Sequence, residues 1–227
     1  MKSFILTTAF IVAASATVSA KTNTTKVLAN GYPYTQVPFT SVNLAHNSFW
    51  GARLQAAREV TVPLAFSKCE SEHRYKNFDM AAYTLKHPGH PGLKTPEWDV
   101  AKIMGLSFDD TDVYKTIEGA SYILQTYPDK KLKAYIDSVL NIVAAAQEPD
   151  GYLYTARTIN PEHPHGWSGK KRWEKEEDLS HELYNLGHMV DAACAHYQAT
   201  GSHKFLDIAR RYADCVCREV GSGSGQT

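Results

Sequence analysis

The sequence predicts an all-α fold: helix hairpins forming part of a toroid, entered through a short extended N-terminal strap. Two observations predict it. The stretch Ser180-His181-Glu182-Leu183-Tyr184-Asn185-Leu186-Gly187-His188 opens a helix with two unlike faces. At about 100° per residue, Leu183, Leu186, Val190, Ala193, Cys194 and Tyr197 share one stripe, and His181, Asn185, His188, Ala192 and His196 share the opposite side. A helix with one packing face and one face of imidazoles and an amide suits the inner position of a toroid of helix pairs, its polar side on a central cavity. Secondly, from Asp109 onward apolar stripes of helical period recur in pairs joined by short breaks.

Along the chain, residues 1–20 read as a secretory signal. Lys2 gives the positive start, Phe4 to Val12 the short apolar run, and Val18-Ser19-Ala20 the small-x-small cleavage pattern. The run is too short to span about 30 Å of hydrocarbon. A secreted or periplasmic location follows as an expectation, with no membrane contact after signal removal. Residues 21–50 form the strap. Val37 to Leu44 alternates weakly and contains Pro38, which suits an edge strand or an extended strap. Residues 51–227 are the toroid segment. Asn47-Ser48-Phe49-Trp50 caps its first helix, with Pro63 within or near that helix's end, and residues 69–108 read as irregular.

Asp109 to Asp112 places acidic and hydroxyl groups at a helix start, where free N–H groups favour them. A calcium loop would need a Gly and a late Glu that this run lacks. Val113, Ile117, Ala120 and Leu124 form the first stripe. Tyr127-Pro128-Asp129 breaks it, and Leu132, Ile136, Val139, Val143 and Ala146 form the second. So short a join makes the two helices antiparallel. Residues 147–178 have little periodicity. Pro149-Asp150-Gly151 reads as a turn into a short aromatic hairpin arm, followed by Trp167 and Trp173. A loop this long inside a compact domain points to function, and its aromatic content argues against disorder. The helix from His181 ends at Gly201 as a C-cap. His203 to Arg218 supplies the last stripe through Phe205, Ala209, Tyr212 and Val216.

Charge is balanced at 24 basic and 24 acidic residues, with no long basic block, so nucleic acid is not the expected partner. Thirteen Tyr, eight Phe and four Trp suit carbohydrate, whose C–H faces stack on aromatics, and equally suit an aromatic core. Cys69, Cys194, Cys215 and Cys217 match neither a metal motif nor a small disulfide framework. Cys215 and Cys217 lie about 200° apart on a helix, and Cys194 falls on the apolar stripe as a core thiol. A Cys194–Cys215 bridge is the oxidised alternative. His181 and His188 stand about two turns apart, roughly 10 Å along the axis, too far to chelate one metal.

Five strings occur in order: Asn47-Ser48-Phe49-Trp50; Asp110-Thr111-Asp112-Val113-Tyr114-Lys115 with Ile117-Glu118-Gly119-Ala120; Ala146-Gln147 with Asp150-Gly151-Tyr152-Leu153; His181-Glu182-Leu183-Tyr184-Asn185 with Gly187-His188; and Ala195-His196-Tyr197 with Ala199-Thr200-Gly201. As an ordered set they resemble the N-terminal part of the bacterial β-L-arabinofuranosidase family, zinc-thiolate retaining glycoside hydrolases. The resemblance covers nearly all of the chain after residue 20. It implies an (α/α)6 toroid and retaining hydrolysis of terminal β-L-arabinofuranose or a related plant-wall sugar. It also implies a zinc-held cysteine nucleophile and a glutamate acid/base.

Family members run several hundred residues longer, and that cysteine cluster lies in the later part of the toroid. None of the four cysteines here matches it. The chain is therefore expected to be a truncated segment without cofactor or catalytic residues of its own, inactive alone, with carbohydrate as its partner. An exposed toroid face offers self-association. Carried over from the resemblance, His181 at the cavity mouth is the expected hydrogen-bond donor to the sugar. Tyr152 and Trp167 are candidate stacking walls and Asp112 a candidate cavity residue. The alternative is a non-catalytic carbohydrate-binding helical module.

Overall fold

The computed structural model describes residues 37–89 and 103–226. The signal segment, most of the strap and the His-Pro-Gly-rich run from His90 onward fall outside these. Among the described residues the fold is all-helical. Ser48 opens the first helix by accepting the Gly51 N–H on Oγ at 3.0 Å. That helix runs unbroken as α1 (Phe49–Ala56), a π-helical stretch (Ala57–Thr61) and α2 (Val62–Ser71). Pro63 explains the π stretch. Proline brings no N–H and crowds the carbonyl four residues back, that of Glu59, so the ladder widens around it and the helix continues.

The expected irregularity of residues 69–108 is corrected in part: α3 spans Arg74–Lys86. Its buried face of Asn77, Phe78, Met80, Ala81, Ala82 and Thr84 mixes polar with apolar residues, so no clean stripe marks it. The edge strand is corrected too, because Phe39–Ser41 is a 3-10 turn.

Next come α4 (Asp110–Thr126) and α5 (Lys130–Ala145), then the short α6 (Thr155–Thr158), α7 (Glu182–Thr200) and α8 (Lys204–Glu219). The stripes predicted for α4, α5 and α8 are the buried ones: Val113, Ile117, Ala120 and Leu124; Ile136, Val139 and Val143; Phe205, Ala209 and Tyr212. At roughly 25 cal/mol per Å², each fully buried aromatic contributes about 1.5–3 kcal/mol. Asp129 caps α5 by accepting the Lys131 and Leu132 N–H groups at 2.8 and 3.2 Å. Gly201 closes α7 at φ 71°, as the sequence predicts.

The helices form two layers of hairpins. α4 packs along α7, and their hairpin partners α5 and α8 meet behind them, while α3 packs on α5. The starts of α4 and α7 lie together, with Phe108 5.0 Å from the His181 ring and Lys115 bonded to Tyr184. The two helices are therefore parallel. This is part of a toroid of helix hairpins. α2 runs antiparallel to α4: Arg58 lies over Tyr127 at the far end of α4 and Cys69 reaches Thr116 near its start.

α7 is rotated relative to the sequence reading. Its buried residues are Glu182, Asn185, Met189, Ala192, Ala193, Ala195 and His196. Leu183, Leu186 and Val190 are only half covered, and Tyr197 is exposed. The face read as polar and cavity-directed is largely the packed one. α7 is held by α4 on one side and α8 on another, so an amide and an imidazole are enclosed while an aliphatic row is left partly open. His188 sits at the margin, half-buried, its ring 4.6 Å from Tyr184. All four cysteines are free thiols, Cys69 and Cys215 buried and Cys194 half-buried.

Candidate functional site

Where α4 and α7 begin, five rings gather: Phe108, His165, Trp167, His181 and Tyr184. Phe108 lies 5.0 Å from His181, 6.4 Å edge-on from Tyr184 and 6.5 Å from Trp167, nearly parallel to it. His165 meets Trp167 edge-on at 5.5 Å, and burial holds the His165 imidazole below its usual pKa. Tyr184 is exposed and the other four are half-buried. Lys115 closes the rim, its ammonium donating to the Tyr184 hydroxyl at 2.6 Å. Partly open aromatic faces beside imidazole and ammonium groups suit a sugar's C–H faces and hydroxyls.

His181 is held under strain. Its φ of 61° is left-handed, uncommon for a residue with a Cβ. Its Nδ1 lies 2.6 Å from the Leu179 carbonyl oxygen. A carbonyl only accepts, so Nδ1 carries a proton, and Nε2 has no protein partner among the described residues. With Nδ1 protonated, Nε2 accepts from a hydroxyl when the ring is neutral and donates to one as imidazolium, the form that the expected donor role needs.

The other expected site residues separate. Trp167 is in the ring cluster. Tyr152 is completely buried, its hydroxyl donating to Glu182 Oε1 at 2.5 Å, its ring beside Tyr154, Trp173 and Tyr212. It is a core residue, not a stacking wall, because the turn before it directs the arm inward. Gly151 makes that turn at φ 101°, where a Cβ would meet the Arg211 carbonyl oxygen at 2.1 Å. Asp112 is exposed and paired to Arg74 at 2.9 Å. It lines a neighbouring shallow pocket with Lys115, the residue that connects it to the ring cluster. The acidic start of α4 binds neighbours rather than capping its own helix. Asp109 accepts from Leu106 N–H and pairs with Arg74, while Asp110 accepts both the N–H and the hydroxyl of Thr155 at 2.9 and 2.6 Å. Full burial pushes the Asp110 carboxyl up to about 7 against those two bonds.

Carboxylates of differing exposure anchor the long loop. Glu182 is fully buried and accepts the Tyr152 hydroxyl and the Trp173 N–H, the latter at 2.9 Å. Burial raises its pKa against those bonds. Arg172 donates to Glu148 and Asp150 at 2.6 Å and Glu219 at 2.8 Å, and lies 4.0 Å over the Tyr152 ring. Sequence reasoning missed Phe108, His165 and Tyr184 as ring partners and Glu176 as an anchor. Tyr184 and His188, one turn apart beside His181, were the available signal.

Asp150, Cys215 and Glu219 bring ligand atoms within 4.8 Å of one another. They do not fit a zinc-thiolate centre. The Arg172 guanidinium donates to both carboxylates and reaches Cys215 Sγ at 3.9 Å. Burial, together with Glu219 and Asp150, pushes the Cys215 thiol up to about 12. A protonated thiol beside a fixed cation is a structural element.

Helix hairpins in two layers, with an aromatic and imidazole rim where two parallel helices begin, define part of a helical toroid. Residues 41–227 match the family model for the β-L-arabinofuranosidase GH127 catalytic domain, and the chain belongs to that family. It is 38% identical over 122 residues to a non-reducing end β-L-arabinofuranosidase of Bifidobacterium longum, covering 54% of this chain and 18% of that protein. Its fold is similar to that of a GH127 β-arabinofuranosidase, BT3674: TM-score 0.77 and 66% identity over 86% of this chain and 29% of that one. It is also similar to Ara127N-Se, a GH127 β-L-arabinofuranosidase from Geobacillus stearothermophilus T6: TM-score 0.68 and 33% identity, covering 82% of this chain and 27% of that one. The chain thus spans less than a third of the length of these relatives.

Proposed function

We propose that this chain supplies one wall of the sugar-binding cavity of a secreted glycoside hydrolase that acts on β-L-arabinofuranosides or related plant-derived sugars. The observation that carries this reading is the Nε2 of a strained His181 on an aromatic rim, without a protein partner among the described residues. Trp167, Phe108 and Tyr184 offer stacking surface, and Lys115 a cation beside it. Hydrolysis with retention needs two groups about 5 Å apart across the scissile bond. The fixed pairings of Glu182, Asp110 and Asp150 leave none of them free for that role. The chain alone is therefore expected to bind sugar weakly and cleave nothing.

The test is NMR titration of the chain with a methyl β-L-arabinofuranoside, alongside release of nitrophenol from the nitrophenyl arabinofuranoside. Expected are a millimolar Kd, shifts at His181 and Trp167, at least about fivefold weakening in His181→Ala from loss of one hydrogen bond, and no nitrophenol. Binding that His181→Ala leaves unchanged, or hydrolysis by the chain alone, would overturn the reading.

A further inference from the structure

Position 181 is the N-cap of α7, where Ser, Thr, Asp or Asn ordinarily bond the first free N–H groups. His181 makes no such bond. The cap is imported from the loop instead. One Glu176 carboxylate oxygen accepts the Glu182 N–H at 2.7 Å and the Ser180 hydroxyl at 2.8 Å, and the other accepts the Leu183 N–H at 3.1 Å. An anion at a helix N-terminus is further favoured by the dipole. The arrangement is reciprocal, because the Glu182 side chain accepts the N–H of Trp173. Trp173, like His181, is left-handed, at φ 65°. Two carboxylates thus close the segment from Trp173 to Glu182, and its two strained residues stand near its ends.

We propose that Glu176 is a positioning residue for His181. By capping α7 from the loop it frees position 181 from that duty. It holds the backbone left-handed so that Nδ1 faces the Leu179 carbonyl and Nε2 is presented as an acceptor. A carboxylate already bonded to two backbone N–H groups and a hydroxyl has a positional role, not a proton-transfer one. A non-glycine residue held left-handed is strained, so the conformation persists only where neighbours impose it. Here they do so from several directions. The Leu179 carbonyl also receives the Ser107 hydroxyl at 3.4 Å, the Ser180 carbonyl receives the Tyr154 hydroxyl, and the His181 carbonyl receives the Asn185 amide at 2.7 Å. Among these anchors Glu176 is the one that satisfies the helix start itself. The proposal rests on the sugar-binding reading of His181 for its purpose but not for its geometry.

The experiment is ¹⁵N NMR of the histidine rings in the full chain, with His181 assigned by its loss in His181→Gln. The parent should show a protonated Nδ1 and an unprotonated Nε2 at His181. Glu176→Ala should move that pair toward the solution preference of imidazole, with the proton on Nε2, and weaken arabinofuranoside binding about tenfold. Glu176→Gln is isosteric but sets an NH2 against one of the N–H groups, so the same shift is expected; it decides the matter if the alanine variant does not fold. A folded Glu176→Ala or Glu176→Gln with an unchanged His181 spectrum, altered only in melting temperature, makes Glu176 a mere cap and overturns the proposal. A shifted spectrum in a chain whose parent binds no sugar upholds the clamp and removes the sugar reading alone.

Discussion

Two connections in this molecule do the same topological work in opposite ways. Between α4 and α5 the chain turns within Tyr127-Pro128-Asp129, and one exposed carboxylate caps the next helix. Between α5 and α7 it travels from Ala146 to His181, and it is fastened by Asp110, Glu148, Asp150, Arg172, Glu176, Glu182 and Glu219. A short turn needs only local chemistry. A long one must satisfy many backbone groups away from solvent, and here the charged side chains that do so also set the geometry of the rim above them. The contrast teaches that the charged pairings of this fold gather where the long loop meets the starts of α4 and α7 and the end of α8, not at the short turn.

The sharpest break of that contrast is Arg172→Met. The guanidinium balances three carboxylates and lies over a buried ring, and methionine would leave those carboxylates facing one another across an apolar stem. A loss of about 2–4 kcal/mol is expected from the urea midpoint. The loss should carry a pH signature. Burial tends to raise the Asp150 pKa, but Arg172 and the Tyr152 N–H more than offset this and hold it below the usual carboxylate range. A carboxylate with a depressed folded pKa stabilises above its unfolded value near 4 and loses that contribution as pH falls. Parent and variant should therefore converge on acidification below pH 4. A gap that stays constant down to pH 3 would mean that Arg172 acts by packing alone.

How much of this was legible in the sequence depends on whether a residue acts on near or distant neighbours. The stripes of α4, α5 and α8, the Asp129 turn and the Gly201 cap are local, and the structure keeps them. The ordered motifs gave the family and so the toroid. The phase of α7 was not legible, since the helices that cover it decide which side of a mixed helix is inside. Tyr152 was misjudged for a similar reason, because a turn glycine aims the arm inward. Glu176 carried no signal at all. Nothing in an acidic run of ordinary composition says which carboxylate will reach forward to a helix start.

His196 sharpens the comparison from the helical side. It is completely buried on α7 near Phe205, with Lys133 and Asp137 of α5 and Lys204 of α8 acting on it through charge, and neither ring nitrogen has a hydrogen-bond partner among the described residues. Burial lowers its pKa, chiefly by penalising the imidazolium. The folded state then binds fewer protons than the unfolded chain below the unfolded value near 6.5, so stability is full above that value and falls with pH beneath it. His196→Leu removes two unpaired polar atoms at similar volume. A gain of about 1 kcal/mol is expected at pH 7.5, widening toward pH 5, as read from paired urea midpoints. A loss at both pH values would show that the helix core, like the loop, depends on its buried polar groups.

The smallest effect belongs to the short connection. Asp129→Ala removes two exposed bonds to the start of α5. A fall in Tm of about 2–4 °C is expected, in line with the loss of one helix cap in a chain of this size. Binding at the rim should not change, since the turn lies at the far end of α4 from His181. Were Asp129→Ala to weaken sugar binding as Glu176→Ala is expected to, the two connections would not be separable. The loop's charges would then be one part of a general rigidity rather than the local frame of the site. The comparison is decided by running both variants through the same titration, because a stability loss common to both cancels and only a positional effect on His181 remains.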